Sequence, residues 1–181
     1  MKLKIFLLAF FFSTSVKLDY TAYTIKELID KAEIIGKCEI IKVDRKTFTI
    51  RFIDIIKGLP SKELTLSKFV NWTCASRPIE YKVGQIELIF IYRDENKLRP
   101  MGAGNEGEIM MENNNIIYPK YNRGKQNNLT FNYSDVKNAI IYYQKNSLIL
   151  NKMTRAEIKN FDSENKFLKN IIVPSFPYSR D

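Results

Sequence analysis

The sequence predicts a β-rich α+β fold with a short N-terminal helix and a C-terminal helical extension. Three observations carry this expectation. Isoleucine- and phenylalanine-rich runs of strand length follow one another between residues 34 and 118, separated by turn signals. Helix-start signatures flank them, at Thr24 and again at Ser134 and Thr154. After Pro119 the chain changes character, from strand-forming to polar and then helical.

The elements follow in order along the chain. Met1–Lys2–Leu3–Lys4 sets two cations before the apolar run Ile5 to Phe12, and Ser13–Thr14–Ser15 supplies small residues after it. This is the pattern of a secretory signal peptide, and the run falls short of the ~20 apolar residues that span a bilayer. Residues 1–15 are therefore expected to be removed, leaving a secreted or periplasmic protein with no transmembrane segment in the mature chain. Thr24–Ile25–Lys26–Glu27 is a capping box, and Ile25, Leu28, Ile29 and Ala32 continue at helical spacing. Residues 34–43 and 47–57 read as strands. In both the inward phase slips by one residue, from Cys38 and Ile40 to Ile41 and Val43, and from Phe48, Ile50 and Phe52 to Ile53 and Ile55. Such a slip marks either a β-bulge, as in small closed barrels, or a strand buried on both faces.

Lys57–Gly58–Leu59–Pro60–Ser61 is a turn, residues 63–70 a third strand, and residues 71–84 a long connection containing Trp72, Cys74 and Pro78. Residues 85–93 form a strongly apolar strand, Asp94–Glu95–Asn96 a turn, and residues 97–101 a short strand. Residues 108–112 and 116–118 pair as a hairpin through Asn113–Asn114–Asn115, because asparagine tolerates positive φ. Residues 16–120 form the β domain, residues 121–133 a polar loop or linker, residues 134–173 the helical extension, and residues 174–181 a loose tail. Val136, Ala139, Ile140 and Tyr143 give the first of the late helices its apolar stripe, and Thr154–Arg155–Ala156–Glu157 is a second capping box.

Composition bounds the function. The 181 residues carry a formal net charge of +9, and the lysines are scattered along the chain. That distribution suits a solvated surface, or an outward face that meets an acidic glycan, a lipid or a protein. Histidine is absent, which removes the commonest general base near neutral pH and excludes Ser–His and Cys–His nucleophiles. No cofactor and no metal are expected. Two cysteines in an oxidising compartment favour a Cys38–Cys74 disulfide, against the alternative of two buried free thiols.

The motifs are weak. Gly102–Ala103–Gly104–Asn105–Glu106–Gly107 matches G-x-G-x-x-G but runs into Glu108–Ile109–Met110–Met111, which reads as strand, so it is a turn and not a phosphate cradle. Glu106, Glu108 and Glu112 could supply acid/base carboxylates, but nothing in the sequence brings two of them together, and solvated strand faces and turns explain them better. Phe48, Phe52, Phe69, Trp72, Tyr81 and Tyr92 lie among Arg51, Lys68 and Lys82, yet most fall at inward strand positions, so no nucleic-acid partner is expected.

One arrangement is familiar. Ala32–Glu33–Ile34–Ile35–Gly36–Lys37 passes from helix to strand, a second strand ends in Lys57–Gly58, and Cys74 precedes Gly84–Gln85 and the apolar run Ile86 to Tyr92. Met101–Gly102 follows a turn. This order, over residues 24 to 118, resembles the netrin-module and tissue-inhibitor-of-metalloproteinase-like domains, including small exported bacterial relatives. The resemblance implies an OB-like five-stranded β-barrel and a binding or inhibitory role. The chain lacks the N-terminal cysteine and dense disulfides of the animal inhibitors, so metalloproteinase inhibition is not carried over.

The expected function is thus an exported, non-enzymatic binding or inhibitory module that recognises a protein or an acidic envelope surface. The alternatives are a small carboxylate-dependent hydrolase, or a structural envelope protein that docks through its C-terminal helices. Residues 71–82 and 102–107 are the candidate loops, with Trp72, Arg77, Tyr81, Lys82 and Asn105 as the candidate binding surface. Trp72 is the anchor candidate, against an equal claim that it packs over the cysteines.

Overall fold

Thr24 opens helix α1 (Ile25–Lys31): its side chain accepts from the Glu27 amide, and the Glu27 carboxylate accepts from the Thr24 amide at 2.8 Å. In this computed structural model, which describes residues 22–71, 77, 79–102, 106–122, 125–161 and 165–172, the helix leads directly into the sheet. The strands are β1 (Ile34–Val43), β2 (Thr47–Lys57), β3 (Glu63–Ser67), β4 (Ile86–Asp94), β5 (Lys97–Pro100), β6 (Glu108–Glu112), β7 (Asn115–Asn122) and β8 (Lys125–Asn132). Three helices follow: α2 (Tyr133–Leu150), α3 (Arg155–Asn160) and α4 (Lys166–Ile172). The expected leader, residues 1–15, and the expected tail, residues 174–181, lie outside the described residues.

All the strand pairs are antiparallel, in one eight-stranded sheet ordered β3-β2-β1-β4-β6-β7-β8, with β5 also paired to β4. The expectation of a β-rich fold with a short leading helix and trailing helices therefore holds. The strands number eight rather than five and their sheet is not closed, and the reason lies in β4. Along one edge, its Glu87–Ile89 half pairs with β6 while its Ile91–Asp94 half pairs with β5. The sheet forks there. One branch, β5, turns back toward β3, and the other continues through β6 to β8.

Residues 121–133, expected as a polar linker, carry the end of β7, all of β8 and the start of α2. Backbone ladders do not require apolar side chains, so the Asn115–Asn132 pairing forms from a sequence that composition reads as loop. The β6–β7 turn is as expected: Asn113 and Asn114 take φ of 47° and 62°, the pair of left-handed residues of a type I′ hairpin.

Bulges account for the phase slips of β1 and β2, while burial on both faces belongs to a strand that shows no slip. The β1–β2 register shifts at Ile35/Gly36, Lys37/Cys38 and Ile40/Lys42, which are bulges. Strand β4 is buried on both faces instead. Ile89 and Ile91 enter a strand-side core with Ile34, Cys38, Ile40, Phe48, Ile50, Phe52 and Leu66. Leu88 and Phe90 enter a helix-side core with Ile35, Ile109, Met111 and Ile116, covered by Leu28 and Ile29 of α1, Val136, Ile140 and Tyr143 of α2, and Phe167, Leu168 and Ile171 of α4. Ile53 and Ile55 of β2 stay exposed.

Polar ties fix the helices to the strands. Lys57 donates to the Ile29 carbonyl at 2.8 Å and to that of Asp30 at 3.3 Å, satisfying the end of α1. Gly58 follows at φ 83°, where a Cβ would come within 2.4 Å of the Glu33 carbonyl oxygen. Asp54 accepts from Lys137 at 2.6 Å and from the Tyr133 hydroxyl at 2.9 Å, joining β2 to α2. Burial pushes the Asp54 carboxyl upward, but these two donors outweigh it and hold it below its ordinary value.

The late helices, with α1, cover the face of β4, β6 and β7 that carries Leu88, Phe90, Ile109, Met111 and Ile116. A chain ended after Tyr118 is expected to expose Leu88, Phe90, Ile109 and Met111 and to aggregate. Size-exclusion chromatography checks this, and a monodisperse, folded fragment would show that the helices are an appendage.

Candidate functional site

The long β3–β4 connection returns its backbone to the sheet at both ends. Lys68 N–H donates to the Lys46 carbonyl at 2.9 Å, and Gly84 N–H to that of Ile40 at 2.8 Å. Tyr81 packs inward, its ring 4.6 Å from that of Phe48. Its oxygen accepts from Phe69 N–H at 2.9 Å, and its hydroxyl donates to Glu108 Oε2 at 3.2 Å. Asn71 Oδ1 accepts from Arg77 N–H at 3.0 Å, which steers the Arg77 side chain inward.

Arg77 is the centre of the site. Its guanidinium lies 3.9 Å from the Tyr81 ring centroid, pairs through Nη2 with Glu87 Oε1, and faces Glu108 Oε1 through Nη1 at 3.4 Å. The side chains of Arg77, Glu87 and Glu108 are 5 %, 0 % and 1 % exposed. The sheet explains why the two carboxylates converge. Glu87 and Ile89 share a face of β4, and Glu108 of β6 stands opposite Ile89, so both acids point to the same side on adjacent strands. Cys38 of β1 stands opposite Glu87. Gln85 Nε2 also donates to Glu87 Oε1, at 2.9 Å.

The cluster carries two acids for one cation. Among the described residues Arg77 Nε, Glu87 Oε2 and Glu108 Oε1 have no hydrogen-bond partner. Burial drives both carboxyls up against the pull of Arg77, Glu87 to about 7 and Glu108 to about 8. One guanidinium neutralises one carboxylate, so near neutrality the pair retains a proton. Burial, with Glu87 and Glu108 nearby, pushes the Cys38 thiol well up, so it is a poor nucleophile.

The sequence-derived candidates divide. Arg77 is buried in the cluster, Tyr81 is half-buried beside it, and Lys82 is exposed. Trp72 and Asn105 lie outside the described residues. Cys38 is a buried free thiol, and its expected partner Cys74 lies outside the described residues. Glu108 is one of the carboxylates singled out from the sequence. Glu112 is exposed, and buried Glu106 accepts from Tyr23 N–H at 3.2 Å. Residues 103–105 of the glycine-rich motif lie outside the described residues, and its first glycine abuts Glu106. Gly102 has φ 73°, and a Cβ there would lie 2.4 Å from Glu106 Oε2. Glu87 went unrecognised. Its signal was a charged residue inside the run Ile86 to Tyr92, where every other side chain is apolar or aromatic.

Among the described residues no group of His, Cys, Asp or Glu is placed to hold a metal ion, and no helix is long and apolar enough to cross a membrane. No protein-family model, curated protein or solved structure matches the chain.

Each carboxyl holds its proton to higher pH in the fold than in the unfolded chain, where 4.5 is the ordinary value. The stability this confers is complete below that value and is lost as pH rises through about 7 and about 8. Glu108→Gln is expected to flatten this decline. Arg77→Met strands the carboxylates and is expected to cost about 3–5 kcal/mol at pH 8, and less at pH 5. Urea unfolding at the two pH values checks both, and an Arg77→Met variant as stable as the parent at pH 8 would refute the account.

Proposed function

We propose that the chain is an exported, non-enzymatic binding or inhibitory module that recognises a protein or an acidic envelope surface through its β3–β4 connection. One observation carries this reading over a hydrolase. The two convergent carboxylates, Glu87 and Glu108, are closed from solvent and face a guanidinium. Carboxylate-based glycoside hydrolysis needs its acids open to substrate and about 5–9.5 Å apart. The cluster acts as a rivet that holds the connection in shape, and the exposed part of the connection meets the partner.

We further read strands β1–β5 as an OB-like unit. The support is their cyclic neighbourhood: β1, β2 and β3 form a meander, β4 lies on β1, β5 on β4, and β3 approaches β5. The motif order that resembles the netrin-module and metalloproteinase-inhibitor-like domains agrees with this, as does the leader pattern with export. Loops at strand ends are where such units bind. A structural role through the C-terminal helices draws on Tyr142, Leu148 and Ile149, which are exposed on α2.

Immobilised protein challenged with its native envelope fraction separates these readings. Retention that high salt abolishes and that Lys82→Glu weakens several-fold, with Leu148→Ser/Ile149→Ser unaffected, is the expected result. The reverse pattern would favour docking through the helices. Turnover of an envelope polysaccharide that Glu87→Gln abolishes would replace the binding reading with the hydrolase.

A further inference from the structure

We propose that the end of the sheet formed by the β1–β2 turn and by residues 68–71 and 79–84 of the β3–β4 connection docks on an anionic lipid bilayer surface; this rests on the binding-module reading above and names its partner. The two segments form one rim. Thr47 pairs with Ser67, and Lys68 N–H reaches the Lys46 carbonyl at 2.9 Å, so the turn lies beside the start of the connection. Lys68 Nζ sits 5.5 Å from the Tyr81 ring centroid, which brings in Lys82, the next residue. Gly84 N–H bonds the Ile40 carbonyl and returns the connection beneath the turn.

The rim is cationic. Over residues 42–46, 68–71 and 79–84 the sequence carries Lys42, Arg45, Lys46, Lys68 and Lys82 against two acids, Asp44 and Glu80, and Asp44 is already paired with Lys42 at 2.9 Å. Arg51, Arg77, Arg93 and Arg99 are each held by an acid, whereas Arg45 makes no ion pair among the described residues. Nor do Lys46 and Lys82 among those residues. Two apolar side chains of the same connection are exposed: Val70 is 79 % exposed and Val83 is 66 % exposed.

This composition separates a lipid surface from a protein partner. Interface cores between proteins are depleted of lysine and rich in large aromatics and arginine. Lysines around small apolar tips suit a headgroup layer instead, where the ammonium groups meet phosphates and the tips enter the acyl boundary. Each basic residue near an anionic surface raises partitioning about fivefold, and the effect fades beyond a Debye length of ~8–10 Å, so only the charges of one end act together.

The test is sedimentation of the full chain with vesicles of phosphatidylcholine alone and with about one third phosphatidylglycerol. Binding to the anionic vesicles is expected to exceed that to the neutral ones at least about tenfold and to collapse in high salt. Lys46→Glu/Lys82→Glu is expected to remove that preference. Lys62→Glu/Lys97→Glu, an equal charge change on exposed lysines at the opposite strand ends, is expected to leave most of it. Thermal melts of all three proteins should agree, which excludes misfolding. Equal binding to both vesicle types, or equal losses in the two double variants, overturns the proposal. If salt-sensitive envelope capture persists while vesicle preference is absent, the partner is an acidic protein or glycan. The lipid inference then fails and the binding-module reading survives; loss of both ends both.

Discussion

Strand β4 is the wall on which the molecule is built, and its burial on both faces is the constraint that the other elements satisfy. Its side chains alternate between two cores. Ile89 and Ile91 pack among strands, while Leu88 and Phe90 pack against helices. Each face must be covered, so β1, β2 and β3 close over one side and α1, α2 and α4 over the other. Both edges of β4 are occupied too, one by β1 and the other shared by β5 and β6. The fork in the sheet is the geometric result of a nine-residue strand meeting two shorter partners end to end.

A wall buried on both faces has no neutral place for a charge, yet it carries Glu87. The fold answers with the guanidinium of Arg77, delivered from the β3–β4 connection. The interaction works in both directions. Arg77 makes the buried glutamates tolerable, and the glutamates hold Arg77 against the sheet. Because Glu87 and Glu108 together outnumber Arg77, the arrangement is sensitive to proton concentration near neutrality, in a molecule without histidine.

Much of the fold was legible in the sequence, for local reasons. The Thr24 and Thr154 caps each need only four residues, and both form as read. Strand positions from 34 to 112 were marked by apolar periodicity strong enough to survive bulges. The asparagine turn at 113–114 followed from backbone preference alone. What was hidden depends on distant partners. Strand β8 has little apolar content, and its existence rests on pairing with β7. The number of strands depended on which of two partners β4 accepts, a choice no short window encodes. At the site, Arg77 looked like surface because arginine usually is, and its burial becomes reasonable only once two glutamates are known to face it. Glu87 alone carried a readable warning.

The helices that seal the second side of β4 come last in the chain. During vectorial synthesis β1 to β4 can assemble as soon as residue 94 is available, but α2 is complete only at residue 150. For that interval a greasy sheet surface stands uncovered, kinetically open to stray partners even though the finished molecule hides it. Whatever receives the nascent polypeptide must shield that surface, and the demand arises from element order, not from equilibrium stability.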